Sequence, residues 1–304
     1  MWPHVLTIPL FCLTSPTSAA EVDADPNKCK IYLAKSTIPN AGLGVFTAVD
    51  IEMNEFIGYG DPAIPIVDID FHNDASAVKE DYHWLLDDYT WKSAAAGPDM
   101  QQEADKTSAY ISGFGALPNC HMRLKNIRET FNEYDTAGVT RADPGIGAFT
   151  GYHSRRTYST TSIDAGQELF VDYGIEWFLT RESYMGFVPL QHSFPAATRF
   201  LEQFDLNGFL EDIMFSEEKE ELMSDLWDLI VNFPYKSSQS ALPKDLTYAR
   251  IAVEEGIYEA ELLQGTRSLD DLEKNGKCLD NIRPGNSTIP GAGRGAFATR
   301  FMPG

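Results

Sequence analysis

Two patterns divide the chain. From Ile31 to about Tyr173, short apolar runs are punctuated by Gly, Pro, Asn and Asp, the mark of strands joined by turns. The runs predict strands at Cys29–Ala34, Leu43–Thr47, Phe56–Gly58, Ile64–Ile69, Ile146–Thr150, Thr157–Thr160 and Glu168–Val171. Between Asn73 and Lys106 lies an acidic insertion that carries aromatic residues, including DYHWLLDDYTW from Asp81 to Trp91. The polar stretch Asn126 to Asp143 reads as a short helix followed by a loop. From Pro195 the period changes. Within Ala196–Phe215, the residues Phe200, Leu201, Phe204, Phe209, Leu210 and Ile213 fall close to helical spacing. Ser216 then precedes EEKEELMSDLWDLIVNF, whose first turn is acidic, so Ser216 reads as an N-cap. Further helices are expected over Leu246 to Gly256 or beyond, and over Leu269 to Lys274. The apolar stripes of these helices read as core. A β-rich part followed by a helical part makes the class α+β.

The 304 residues allow one large or two modest domains. The formal net charge of −21 repels phosphate backbones, and the densest basic cluster is only Arg155-Arg156. Nucleic acid is therefore not an expected partner. The acidic surface suits a basic protein or peptide, and it equally serves solubility. Met1 to Ala20 contains no Asp, Glu, Lys or Arg; its apolar run, Val5 to Leu13, is followed by Ser18-Ala19-Ala20. Residues 1–20 read as a secretory signal peptide, which implies the secretory pathway or the extracellular space. The run is too short to span a bilayer, so no membrane partner is expected once the signal is removed. Signal removal leaves Cys29, Cys120 and Cys278, with no C-x-x-C and no zinc-like cluster, so no metal is expected. Cys29 and Cys278 could pair in an oxidising compartment. Asn286-Ser287-Thr288 is a glycosylation sequon if the chain is secreted.

One phrase occurs twice. STIPNAGLGVFTA runs from Ser36 to Ala48, and STIPGAGRGAFAT from Ser287 to Thr299, with eight of thirteen positions identical. A G-x-G alone marks any tight turn. No helical pattern follows it, which argues against a dinucleotide or P-loop fingerprint. The later phrase SIDAGQELFVDYGIEWF, Ser162 to Phe178, sharpens the picture.

In this order, these phrases resemble the SET domain, the fold of S-adenosylmethionine-dependent protein lysine methyltransferases. The opening is Gly42-Leu43-Gly44-Val45-Phe46-Thr47-Ala48, continued by Ile51 and the turn Gly58-Tyr59-Gly60. The closing phrase runs from Ile163 through Gly166-Gln167-Glu168-Leu169 to Asp172-Tyr173-Gly174. The family's central Asn-His motif is matched by LPNCHMRLKN, where His121 and Asn126 keep the family's interval, Cys120 stands where the first Asn belongs and Asn119 is displaced by one. Tyr152-His153-Ser154 ranks lower, being too close to the closing strand. The resemblance covers roughly Ile31 to Phe178. It implies short curved sheets of the β-clip type around a threaded C-terminal segment, an exception to unknotted topology.

The resemblance further implies S-adenosylmethionine as cofactor, with Gly42, Leu43, Gly44, Asn119 and His121 holding it. Tyr173 is implied as the catalytic phenol at the methyl-transfer point. A target lysine, of pKa about 10.4 in water, must arrive deprotonated, so an aromatic channel is needed. Tyr59, Phe149, Tyr152 and Trp177 are the candidates. His121 equally reads as a core histidine, and Phe149, Tyr152 and Trp177 as core packing. Asp172 reads as a hydrogen-bonding residue rather than a general base.

The expected organisation is a signal peptide at 1–20, a SET-like domain at 29–190, a helical segment at 195–275, and the truncated start of a second SET-like repeat at 278–304. That repeat lacks a closing phrase, so it is expected to be a tail or an edge hairpin rather than a second active site. Two functions follow: a protein lysine methyltransferase, or a SET-fold binding module without catalysis, favoured by the altered Asn-His motif. A hydrolase is unsupported, since no G-x-S-x-G occurs.

Overall fold

The computed structural model describes residues 28–66, 90–92, 108–111, 113–131, 153–185, 188–203, 216–232, 237–290, 292 and 294–301. The expected signal peptide, the predicted strand Ile146–Thr150 and most of the acidic insertion lie outside them.

Strand β1 (Ile31–Lys35) pairs antiparallel with β2 (Leu43–Thr47), in the register Ile31 to Thr47 and Lys35 to Leu43. The free edge of β1 takes a short strand from far along the chain, β8 (Lys277–Cys278), through Tyr32 to Cys278 and Leu33 to Lys277. There Cys29 and Cys278 form a disulfide, Cα atoms 5.8 Å apart, which clamps segments 249 positions apart. A second sheet contains β3 (Phe56–Ile66), β4 (Thr90–Lys92), β5 (Ser108–Ile111), β6 (Ile127–Phe131) and β7 (His153–Ser159), in the order β4-β5-β3-β7-β6. The register of β3 against β7 jumps between Ile57 and Asp61, a bulge with Gly58 at φ +71. The expected helix after Asn126 is instead β6. Its polar residues face a partner strand: Glu129 Oε2 pairs with Arg155 Nη2 of β7 at 2.6 Å.

The closing phrase runs between these sheets without forming a regular strand, because its partners change every one or two residues. Ile163 bridges Ile51, Glu168 bridges Phe46, Gln167 bridges Thr266, and Phe170 bridges Asn119 in parallel. Leu169 N donates to Val45 O at 2.7 Å and Val171 N to Asn119 O at 2.9 Å, so one segment fastens β2 to the central motif. Its apolar side chains Ile163, Leu169 and Val171 pack with Ile31, Val45, Ile51, Ile57 and Ile127 in the β-side core.

Eight described helices follow. Two short ones, α1 (Ile175–Leu179) and α2 (Glu182–Met185), come directly after the closing phrase. Then come α3 (Ser193–Gln203), α4 (Ser216–Val231), α5 (Ser237–Ser240), α6 (Leu246–Glu254), α7 (Ile257–Gln264) and α8 (Leu269–Asn275). Residues 204–215, the rest of the first predicted helix, are outside the described set. Ser216 is the first helical residue of α4 rather than its cap. The single helix expected from Leu246 is two, broken at Gly256 with φ +105. Buried faces repeat at helical spacing: Phe194, Ala197 and Leu201 on α3, and Met223, Trp227 and Val231 on α4. Cys120 and Met122 of the central motif belong to this same core, so the helices pack directly against the β-rich part. Among the described residues no helix is long and apolar enough to cross a membrane.

The repeated phrase folds the same way twice. Strands β9 (Ile282–Asn286) and β10 (Arg294–Ala298) pair Ile282 with Ala298 and Asn286 with Arg294, the counterparts of the β1–β2 pairs. The turns share their hydrogen bonds. Ile38 N donates to Ser36 Oγ and Ile289 N to Ser287 Oγ, both at 3.1 Å. Ala41 N donates to Ile38 O and Ala292 N to Ile289 O, both at 3.2 Å.

Candidate functional site

The opening, central and closing phrases meet at Glu168. Its buried carboxylate accepts from Ser36 Oγ (2.7 Å), Thr37 N (2.7 Å), Thr37 Oγ1 (2.6 Å) and Asn119 Nδ2 (3.1 Å). A buried charge needs such a donor set. Asn119 Nδ2 also donates to Leu43 O at 2.9 Å, tying the central motif to the G-x-G. The two glycines divide their work. A Cβ on Gly44 would overlap the Glu168 carboxylate, so Gly44 makes room for this chain's own side chain. Gly42 has φ +75 and nothing within 4 Å of a would-be Cβ, and Leu43 beside it is 52% exposed. Gly42 and Leu43 thus form the open side of the turn.

Asn126 is the second organiser. Its Nδ2 donates to Glu168 O at 2.9 Å and its Oδ1 accepts from Phe170 N at 2.8 Å, so one buried amide holds the closing segment by its backbone. Phe170 O in turn accepts from Asn126 N and Ile127 N, both at 3.1 Å.

His121 sits apart from the turn. Its ring packs against Phe170 (5.4 Å) and Phe194 (6.2 Å), and its Nδ1 accepts from Arg123 N (3.3 Å) and Leu124 N (3.2 Å). Burial, reinforced by the Arg123 charge, lowers its pKa to about 4, so the imidazole is neutral at neutral pH. Its Nδ1 is engaged with the backbone, which leaves Asn119 as the motif's contact with the G-x-G. Next to it, burial pushes the Cys120 thiol up to about 11.

Tyr173 points back toward the central motif. Its hydroxyl donates to Pro118 O at 2.9 Å, one residue from Asn119, and its ring lies 4.9 Å from Trp177 and 6.3 Å from Phe178. Trp177 is covered by the Arg181 guanidinium at 4.4 Å. The phenol and the G-x-G are thereby joined through two consecutive residues, Pro118 and Asn119. The Tyr59 side chain, Phe149 and Tyr152 lie outside what is described.

Asp172 faces outward. Partial burial raises its pKa, but Lys125 Nζ at 2.6 Å and the Gly174 N–H outweigh that and hold it below the ordinary value. This pair edges a cleft of about 460 Å³ lined by Met122, Arg123, Lys125, Asp172, Gly174 and Ile175. The cleft flanks Tyr173 on both chain sides, and the residues of the G-x-G do not line it. The Arg123 guanidinium lies over Phe194 and Tyr258 and 3.8 Å from Glu261, whose pKa burial raises to about 8. Glu168 was visible in the sequence only as part of a phrase; the Ser36-Thr37 donors that hold it open the repeated phrase, but nothing in it marks them as partners of a residue 132 and 131 positions downstream. Arg123 and Lys125 had none.

No protein-family model matches the chain. No curated protein matches it by sequence. Among solved structures, a chain described as a histone methyltransferase from Plasmodium falciparum aligns over 50% of this chain and 98% of its own, at 19% identity and a TM-score of 0.31. The Neurospora SET-domain protein DIM-5, a histone lysine methyltransferase, aligns over 49% of this chain and 53% of its own, at 17% identity and a TM-score of 0.34.

Proposed function

We propose that this chain transfers a methyl group from S-adenosylmethionine to a lysine amine of a basic protein or peptide. The observation that supports this most is the convergence of three separated phrases. Glu168 and Asn119 brace the G-x-G, and the Tyr173 hydroxyl is fixed on Pro118 next door. The residues suit the cofactor in part. Gly42 and Leu43 offer open backbone and an exposed apolar side chain. Asn119 contributes only its carbonyl oxygen, since its amide nitrogen serves Leu43 and Glu168. The cofactor would supply an electrophilic methyl on a sulfonium. Tyr173 donates its own proton to Pro118 O, and its phenolic oxygen would accept an N–H from the target amine and orient it. Trp177 and Phe178 make the surroundings apolar, which favours the neutral amine. The net charge of −21 favours a basic substrate. The Cys29–Cys278 disulfide supports a secretory route, which N-terminal sequencing of secreted protein would test.

The test is methyl transfer from labelled cofactor to a lysine-rich peptide. Transfer by the wild type and its loss in Tyr173→Phe, with the fold intact, is the expected result. A second reading, a binding module without catalysis, draws on two observations. The His121 Nδ1 is occupied by backbone amides, and the cleft beside Tyr173 is not lined by Gly42–Gly44. It predicts peptide binding without cofactor binding.

A further inference from the structure

The second hairpin reproduces the first down to the seat that holds a glutamate. In the first, the outer edge of β2 is filled by the closing segment: Thr47 N donates to Gln167 O at 3.1 Å, Gly166 N to Thr47 O at 2.7 Å, and Leu169 N to Val45 O at 2.7 Å. The carboxylate of that segment is held by Ser36 and Thr37 over the bare backbone of Gly44. Ser287, Thr288 and Gly295 are the same residues at the matching positions of the second hairpin, which has the same register and the same turn bonds. Among the described residues no segment pairs with the outer edge of β10.

The second hairpin is also uncovered. Ile31 is 6% exposed and its counterpart Ile282 is 52%; Ile289 at the turn is 67% exposed. Phe46 is fully buried, whereas its counterpart Phe297 is half-buried and folds over Gly295, its Cε2 3.2 Å from where a Cβ would stand. The ring edge lies on the side of Gly295 that corresponds to the side of Gly44 where Glu168 stands. An unpaired strand edge flanked by apolar side chains is a template for an added strand.

We propose that the second hairpin docks an extended segment of Gly-x-Glu-Leu chemistry from a partner protein other than a second copy of this chain. The segment adds antiparallel along β10, with its glutamate on Ser287 and Thr288 above Gly295 and Phe297 turned outward. Ala298 N, Ala298 O and Ala296 O take the roles of Thr47 N, Thr47 O and Val45 O. The inference stands apart from the methyl-transfer reading, since it uses none of that site's residues.

The probe is a labelled synthetic peptide with the sequence of residues 162–174, titrated into the full chain produced without glycosylation. Saturable binding is expected, weakened at least tenfold when the peptide's glutamate is glutamine, and at least tenfold in Gly295→Val or in Thr288→Val. Absence of binding would overturn the proposal. So would binding that neither protein variant weakens, which would mean that the peptide displaces the chain's own segment at β2. A dimer formed without peptide and dissolved by Gly295→Val would also overturn it, since a second copy would then fill the edge.

Discussion

The Glu168 carboxylate fills the volume that Gly44 leaves empty. The relationship explains why the second glycine of the phrase has no side chain: the close approach it allows is to a buried charge of the same chain. Gly42 has a different reason, its φ of +75. The two glycines should therefore fail differently. Gly44→Ala should destabilise the protein by about 3 kcal/mol through overpacking of a rigid, fully bonded group. Gly42→Ala should cost about 1 kcal/mol, the cost of a left-handed alanine. Chemical denaturation of both variants checks the difference, and equal losses would contradict it.

Asn126 carries two backbone hydrogen bonds on one buried side chain. Asn126→Ala would leave Glu168 O and Phe170 N without these partners, at a cost of about 3 kcal/mol. The expected signature in hydrogen exchange is faster exchange at Phe170 and Val171, while the helices stay protected. Unchanged exchange along 168–171 would contradict this role.

The disulfide closes nearly the whole described chain into one loop. Cys278→Ser, or reduction of the wild type, should lower stability by about 2–5 kcal/mol. Thermal unfolding with and without reductant measures it. A Cys278→Ser variant that responds to reductant as strongly as the wild type would contradict the assignment, because among the described residues it keeps only unbridged thiols, Cys29 and the buried Cys120.

His121 gives a pH dependence of known sign. Its folded pKa of about 4 lies below the ordinary 6.5, so the unfolded chain takes up the proton first as pH falls. Its stabilisation is present above pH 6.5 and is lost as pH falls toward about 4. From pH 7 to pH 5 that amounts to about 2 kcal/mol. Glu129 and Glu261, raised by burial to about 7 and about 8, act with the opposite sign: their contribution is lost as pH rises from the ordinary 4.5. The wild type minus His121→Asn difference isolates the histidine, and urea midpoints at the two pH values measure it. An identical pH slope in both proteins would contradict it.

What the sequence disclosed followed from locality. The bounds of β2 were readable because glycines and a threonine-alanine step frame a five-residue apolar run. Helix α3 was readable from its apolar spacing, of which Leu201 is buried, and α4 from its acidic first turn. The strand β6 was not, because Arg128, Glu129 and Thr130 look like a solvated helix until β7 supplies Arg155 as the ion partner of Glu129. The Glu168 seat was hidden for the same reason: its donors come from Ser36, Thr37 and Asn119, and only the fold brings them together. The break at Gly256 left no mark beyond one glycine in a continuous apolar pattern.

Calorimetric titration with S-adenosylmethionine tests the central claim most directly. Saturable heat in the wild type and in Tyr173→Phe, reduced at least tenfold in affinity by Gly42→Val, is the predicted result. No heat from a folded wild type at millimolar cofactor would contradict the methyl-transfer account and leave only a protein-binding module.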